Sequence, residues 1–186
     1  MFFEDENLIF LTVFLVAIGL SMDTFSLSLS YGMLNIDKKT ILKISISVGL
    51  FHFFMPLLGN ELGELVLGVI KTSEDLIIGI IFFILSIELI YSLFKKEEVT
   101  PIKNNLEILF FSFLVSIDSF STGIGLDALH LPHLAISLVF MITSFTFTFI
   151  GLSLGRKLHN KIGRKAEILG ILILLFLSIY YIHKSC

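Results

Sequence analysis

Six apolar stretches dominate this chain and leave few folds open to it. They run over Leu8–Ser30, Ile41–Leu58, Leu76–Phe94, Leu106–Leu126, Leu134–Leu154 and Ile168–His183. A helix crosses the hydrocarbon core of a bilayer with about 20 mostly apolar residues, and each stretch comes close to that length. A soluble helical bundle would carry a polar stripe along each segment, whereas these are apolar all round. Composition agrees, with 55% hydrophobic and 16% charged residues, against about 25% charge in a soluble domain. The expected fold is an all-α membrane protein of six transmembrane helices. These spans occupy most of the chain and leave no room for a separate soluble domain. The first flank, Glu4, Asp5 and Glu6, is acidic where a signal peptide is basic, so the first span is expected to be retained. The single Cys186 allows no internal disulfide and no cysteine-cluster zinc or iron–sulfur site.

The basic residues set an orientation. Lys38, Lys39 and Lys43 follow span one, Lys95, Lys96 and Lys103 follow span three, and Arg156, Lys157, Lys161, Arg164 and Lys165 follow span five. The other side holds only Lys71 and Lys184. Lys and Arg concentrate in cytoplasmic loops, so the odd-numbered gaps are expected in the cytoplasm and both termini outside. Tyr31, Tyr91, Tyr180 and Tyr181 fall near span ends, where interfacial rings belong.

The chain also repeats itself. Ser21-Met-Asp-Thr-Phe-Ser26 returns as Ser116-Ile-Asp-Ser-Phe-Ser121, 95 residues later. At an offset of 92, Gly59 and Gly63 fall on Gly151 and Gly155, Asp75 on Glu167, and Leu85-Ser-Ile87 on Leu177-Ser-Ile179. Two three-helix repeats are expected, residues 1–98 and 99–186. An odd number of spans reverses direction, so the two would be inverted in the membrane, the organisation of many secondary transporters with a midplane site. Chance likeness between apolar helices is the alternative, and the shared S-x-D-[ST]-F-S argues against it.

Asp23 lies about 22 Å into span one and Asp118 about 18 Å into span four from the opposite side, at 1.5 Å per residue. An Asp at a span centre costs about 2.5–3.5 kcal/mol on insertion scales, and such acids mark ion or proton paths. The plainer reading is a protonated Asp bonded to a neighbouring helix. Ser26 and Ser121, each three residues on, share a helix face with their Asp and are the candidate co-ligands. Interhelical hydrogen bonding is the competing role for both. Carboxylate and hydroxyl oxygens suit Mg²⁺, Ca²⁺ or Mn²⁺, and His52 in span two would shift the preference toward Mn²⁺, Fe²⁺ or Zn²⁺. A neutral His bonded to a carbonyl is its alternative. Glu88 is a further acid of span three, near enough to Lys95 to be solvated at an interface. Pro56 would free a backbone carbonyl and kink span two near His52. The Gly59/Gly63 and Gly151/Gly155 pairs read as close helix contacts. Glu61, Glu64, Glu74 and Asp75, and likewise His130 and His133, read as solvated loop residues. Phosphate-loop, H-E-x-x-H and G-x-S-x-G motifs are absent, so an ATP-driven pump, a metalloprotease and a lipase have no motif behind them, and no enzyme activity is expected.

These residues resemble a family, the MntP-type manganese exporters of the LysE superfamily. The likeness is carried by Gly19-Leu-Ser-Met-Asp-Thr-Phe-Ser26, Gly49-Leu-Phe-His-Phe-Phe-Met-Pro-Leu-Leu-Gly59, Ser116-Ile-Asp-Ser-Phe-Ser-Thr-Gly-Ile-Gly-Leu126 and Gly163-Arg-Lys-Ala-Glu-Ile-Leu-Gly170. The resemblance implies a secondary transporter that exports Mn²⁺ from the cytoplasm, with Asp23 and Asp118 as the required acids. An acid replaces His52 in some members. Glu88, where a basic or amide side chain is expected, and Asp127, where a small apolar one is, depart from the pattern. The expected metal residues are therefore Asp23, Asp118, Ser26, Ser121, His52 and Glu88. No cofactor is expected, Mn²⁺ being cargo. The partners are a divalent metal ion and the lipid bilayer of the cell membrane, with no nucleic acid, and the assembly stays open between monomer and homodimer. The sister YtaF-type sporulation proteins and exporters of other divalent cations are the alternatives. An amino-acid exporter would need a deep Lys or Arg, and none lies deep in a span.

Overall fold

The computed structural model describes residues 6–34, 36–69, 73–94, 102, 104–126 and 132–185, with the side chains of all of these except 6–9, 64–69, 74, 92, 93, 156–164 and 167. Glu4, Asp5, Lys71, Lys95, Lys96, Lys103, Asp127, His130 and Cys186 lie outside the described residues, as do the side chains of Glu6, Glu64, Glu74, Arg156, Lys157, Lys161, Arg164 and Glu167.

The described residues form helices α1 (Glu6–Gly32), α2 (Lys38–Val69), α3 (Glu74–Phe94), α4 (Asn105–Val115), α5 (Ile117–Leu126) and α6 (His133–Lys184), with no strand among them. The number six is as expected, but the division differs. Span four is two helices, α4 and α5, broken at Ser116. Spans five and six belong to one continuous helical stretch, α6. Helix α2 runs well past Leu58, the expected end of span two, and carries Pro56 inside it. A helix satisfies its own backbone groups, so polar Asn60 and Glu61 need not end it once it leaves the hydrocarbon.

Phe10–Gly32, Lys38–Gly63, Asn105–Leu126 and His133–Gly155 are each long and apolar enough to cross a bilayer. Ile168–Lys184 is a shorter apolar segment, and α3 adds 21 apolar-rich residues. Phe54, Ile84, Phe110, Ile142 and Phe176 point outward, each more than half exposed. Water would penalise so continuous an apolar surface, whereas lipid matches it. The chain is a multi-pass membrane protein.

Contacts show that α6 doubles back. Ser144 Oγ lies 3.2 Å from Ser21 Oγ, while a Cβ on Gly170 would meet Gly19 O at 2.5 Å. In one straight helix Ser144 and Gly170 would stand about 39 Å apart, yet they touch α1 two residues apart. Phe147 and Ala166 likewise share one cluster with Phe25. The reversal falls between Gly155 and Ala166 and gives α6 two arms.

Helix α1 lies between these arms. It runs in the same direction as the first arm, through Ser21–Ser144, Phe25–Phe147 and Gly32–Gly155. It opposes the second arm, through Gly19–Gly170 and Thr12–Tyr181. Helix α2 runs with α4 and α5, through Lys43–Asn105, Phe51–Phe113 and Gly59–Gly123. Besides the Gly19–Gly170 approach, two backbone crossings need glycine. A Cβ on Gly59 would overlap Phe120 O, and one on Gly155 would overlap Leu29 O. The largest apolar core joins α1, α3 and α6 around Leu20, Phe82, Leu85, Leu174, Leu177 and Tyr181.

Candidate functional site

The break between α4 and α5 places the second acid. Ser116 leaves helical geometry at φ −101°, ψ 2°, and its hydroxyl donates to Phe113 O at 2.9 Å. Asp118 then stands in the first turn of α5, where its Oδ1 accepts from the Ser119 amide at 2.6 Å and the Ser119 hydroxyl at 3.3 Å. Short Ser and Asp side chains offer the backbone hydrogen bonds that compete with a helix, and at this break, which has neither Pro nor Gly, Ser116 and Asp118 both make them. A carboxylate is favoured at a helix N-terminus, where unpaired amides gather. The equivalent stretch around Asp23 stays inside unbroken α1.

Asp23 and Asp118 come together on one cavity of about 460 Å³, and Glu88 joins them. Helix α1 supplies Leu20, Asp23, Leu27 and Tyr31, and α3 supplies Leu85, Glu88 and Tyr91, among others. The α4–α5 pair contributes Phe111, Leu114, Val115, Ile117 and Asp118. The cavity thus extends from Leu20 and Asp118 toward Tyr31 and Tyr91, at the ends of α1 and α3. Among the described residues no three His, Cys, Asp or Glu are close enough to hold a metal together. The acids surround a roomy space and do not form a closed shell.

His52 reaches Asp118 from α2. Its ring is fully buried, and Nε2 lies 4.0 Å from Asp118 Oδ1. Nδ1 is 2.9 Å from Val48 O, an arrangement in which Nδ1 carries the proton and donates to the carbonyl. Nε2 then has no hydrogen-bond partner and faces the carboxylate as an acceptor. A buried ring nitrogen without a bond is costly to leave so, and it points at the same acid that lines the cavity.

The proposed co-ligands fare differently. Ser26 is buried and Ser121 half-buried, and neither lines the cavity. The carbonyl of Ser26 accepts from the Ser30 hydroxyl at 3.2 Å. Pro56 lies inside α2, and its backbone forms the surface against which Gly123 packs. The opposite end of the helices is tied by polar contacts. There the Tyr181 hydroxyl donates to Thr12 Oγ1 at 3.2 Å, and Lys184 Nζ lies 3.2 Å from Asp75 Oδ1.

Comparison with known proteins bears on this arrangement. The model of a family described as "Putative manganese efflux pump" (Mntp) matches residues 35–182. The chain belongs to this family. Proteins named "Putative manganese efflux pump MntP" from Geobacillus thermodenitrificans and Bacillus velezensis are each 37% identical to it, over 87% of this chain and 88% of theirs. One from Oceanobacillus iheyensis is 34% identical over 91% of this chain and 94% of its own. No solved structure matches. In this member of the Mntp family the two acids singled out in the sequence line one cavity with His52 beside Asp118, while the helix break was not foreseen. The run Ser116-x-Asp118-Ser119 does not announce the break by itself, because Ser21-x-Asp23-Thr24 has the same three short polar side chains and stays helical.

Proposed function

We propose that the protein exports Mn²⁺ from the cytoplasm as a secondary transporter, by proton-coupled alternating access. The observation that carries this reading is the shared cavity of Asp23 and Asp118, one acid from each half of the chain. Two ionised carboxylates neutralise a dication and so lower the cost of holding it in low dielectric. His52 beside Asp118 adds an imidazole nitrogen, which suits Mn²⁺ better than Mg²⁺ or Ca²⁺. Ser26 and Ser121 would join as ligands only after the helices move. The curated relatives named above carry manganese efflux in their names, which favours this cargo.

Two halves inverted in the membrane account for the contacts. The offsets 92 and 95 turn the Gly151–Phe25 approach into the Gly59–Phe120 approach, and both occur. Gly49 packs on Met141, its own counterpart at offset 92. With the Lys- and Arg-rich gaps in the cytoplasm and both termini outside, the cavity faces the cytoplasm and the Thr12–Tyr181 end closes the outside. Moving a 2+ charge out of a cell with a negative interior costs about 4.6 kcal/mol per 100 mV. Protonating the same acids on the outer side would expel the metal against that field and return protons inward.

The test is Mn²⁺ sensitivity and cell manganese in a host lacking its own exporter, with wild type, Asp23→Asn and Asp118→Asn at matched membrane levels. Both variants should lose protection. If both protect as well as wild type, the site is wrong. In everted vesicles, added Mn²⁺ should drive proton efflux, and metal movement without it would remove the coupling.

A further inference from the structure

The two directions along this pathway are chemically unlike. Glu88 is the third carboxylate of the cavity and lies on α3 toward Tyr91. The offset that carries Leu85-Ser86-Ile87 onto Leu177-Ser178-Ile179 carries Glu88 onto Tyr180. Tyr180 lies on the second arm of α6, its ring edge-on to Tyr181 at 5.2 Å between centroids. It therefore stands at the opposite end, beside the Tyr181–Thr12 hydrogen bond. Of the described acids toward that end, Asp75 is engaged by Lys184 at 3.2 Å and Glu61 is exposed on α2.

We propose that Glu88 is a specificity-determining residue that makes the site's affinity for a divalent cation higher from the cytoplasmic face than from the outer face. The inference rests on the transport reading above and assigns a directional role to this one side chain. Asp23 and Asp118 come from opposite halves, so this pair supplies one carboxylate from each repeat. Glu88 adds a third negative charge to the cavity, and the residue at its repeat-equivalent position, Tyr180, is a neutral phenol. Attraction between a 2+ ion and a carboxylate across a wet cavity falls with distance, so Glu88 strengthens capture on its own side and contributes little once the opposite end opens. An exporter needs this asymmetry, because it must take a scarce ion inside and release it outside.

The experiment measures Mn²⁺/Mn²⁺ exchange in everted and right-side-out membrane vesicles and compares half-saturation at the two faces. The ratio of outer to cytoplasmic half-saturation should fall about tenfold in Glu88→Gln, the scale of one lost charge interaction. It should stay near wild type in Glu88→Asp. Tyr180→Glu should lower the ratio from the other side by strengthening outer binding. A ratio unchanged in Glu88→Gln, whether neither face or both faces shift, overturns the inference. If Glu88→Gln fails to reach the membrane, Tyr180→Glu decides, and an unchanged outer half-saturation overturns it. Asp23→Asn, run alongside, should abolish exchange at both faces. Normal exchange in that variant would refute the transport site itself, whatever Glu88 does.

Discussion

Replacing Gly59 by Ala tests whether the α2–α5 crossing holds the site together. The new Cβ would overlap Phe120 O and stand 3.0 Å from Gly123 Cα and 3.1 Å from Ile124 N. All three are backbone atoms, so no side chain can swing away. Restoring ordinary contact at about 3.5 Å requires the helices to part by roughly 1 Å. Overpacking of this kind costs about 1–3 kcal/mol, while exchanging Gly for Ala inside a helix returns up to about 1 kcal/mol. The net expectation is a loss of about 1–2 kcal/mol. Gly19→Ala is the control, because its Cβ would sit 3.5 Å from Ile173 Cγ2 and Leu174 Cγ, an ordinary contact, and should be neutral or slightly stabilising. Unfolding by SDS titration from mild detergent micelles gives both values. The same displacement moves Asp118 relative to His52, now 4.0 Å away, so Gly59→Ala should also weaken Mn²⁺ transport while Gly19→Ala should not. Equal stability of the two variants would refute the claim that backbone contact sets this crossing.

Three further outcomes follow from named contacts. A double-mutant cycle on Tyr181→Phe and Thr12→Val should give a coupling of about 0.5–1.5 kcal/mol, the net worth of one hydrogen bond, measured by the same titration. His52→Ala should weaken apparent Mn²⁺ affinity about 10–100-fold, as loss of a group supporting a metal ligand does, with vesicle uptake as the readout and His52→Asp retaining more activity than Ala. Asp37 caps α2, accepting from the Lys39 and Thr40 amides and the Thr40 hydroxyl, and these bonds hold its carboxyl below the usual 3.8. Its contribution is therefore complete above the unfolded value and is lost as pH falls through the lower folded value. Amide exchange at Lys39 and Thr40 should quicken in Asp37→Ala at neutral pH, and in wild type only below pH 3.8.

Much of this architecture was written in the hydropathy of the chain. Each apolar stretch became helix, and the acids isolated inside two of them met at one cavity. What escaped reading is what hydropathy does not encode. Ser116 breaks its helix through hydrogen bonds of a few tenths of a nanometre, without the Pro or Gly that usually announces a break. Pro56, which does announce one, stays within α2. The Lys- and Arg-rich gap after Gly155 looked like a loop, yet its backbone is helical while the direction reverses. Ser26 and Ser121 satisfied helical spacing to their acids, but spacing along one helix does not say which face the neighbouring helices leave open.

Gly49 packs on Met141, 92 residues along, and in the proposed inverted arrangement this contact would be a still point. If the halves rock as proposed, a pair of spectroscopic labels flanking that contact would keep its separation through the whole transport cycle. Labels placed near Thr12 and Tyr181 would record the widest swing. The molecule thus contains its own zero mark, against which the movement of every other helix can be measured.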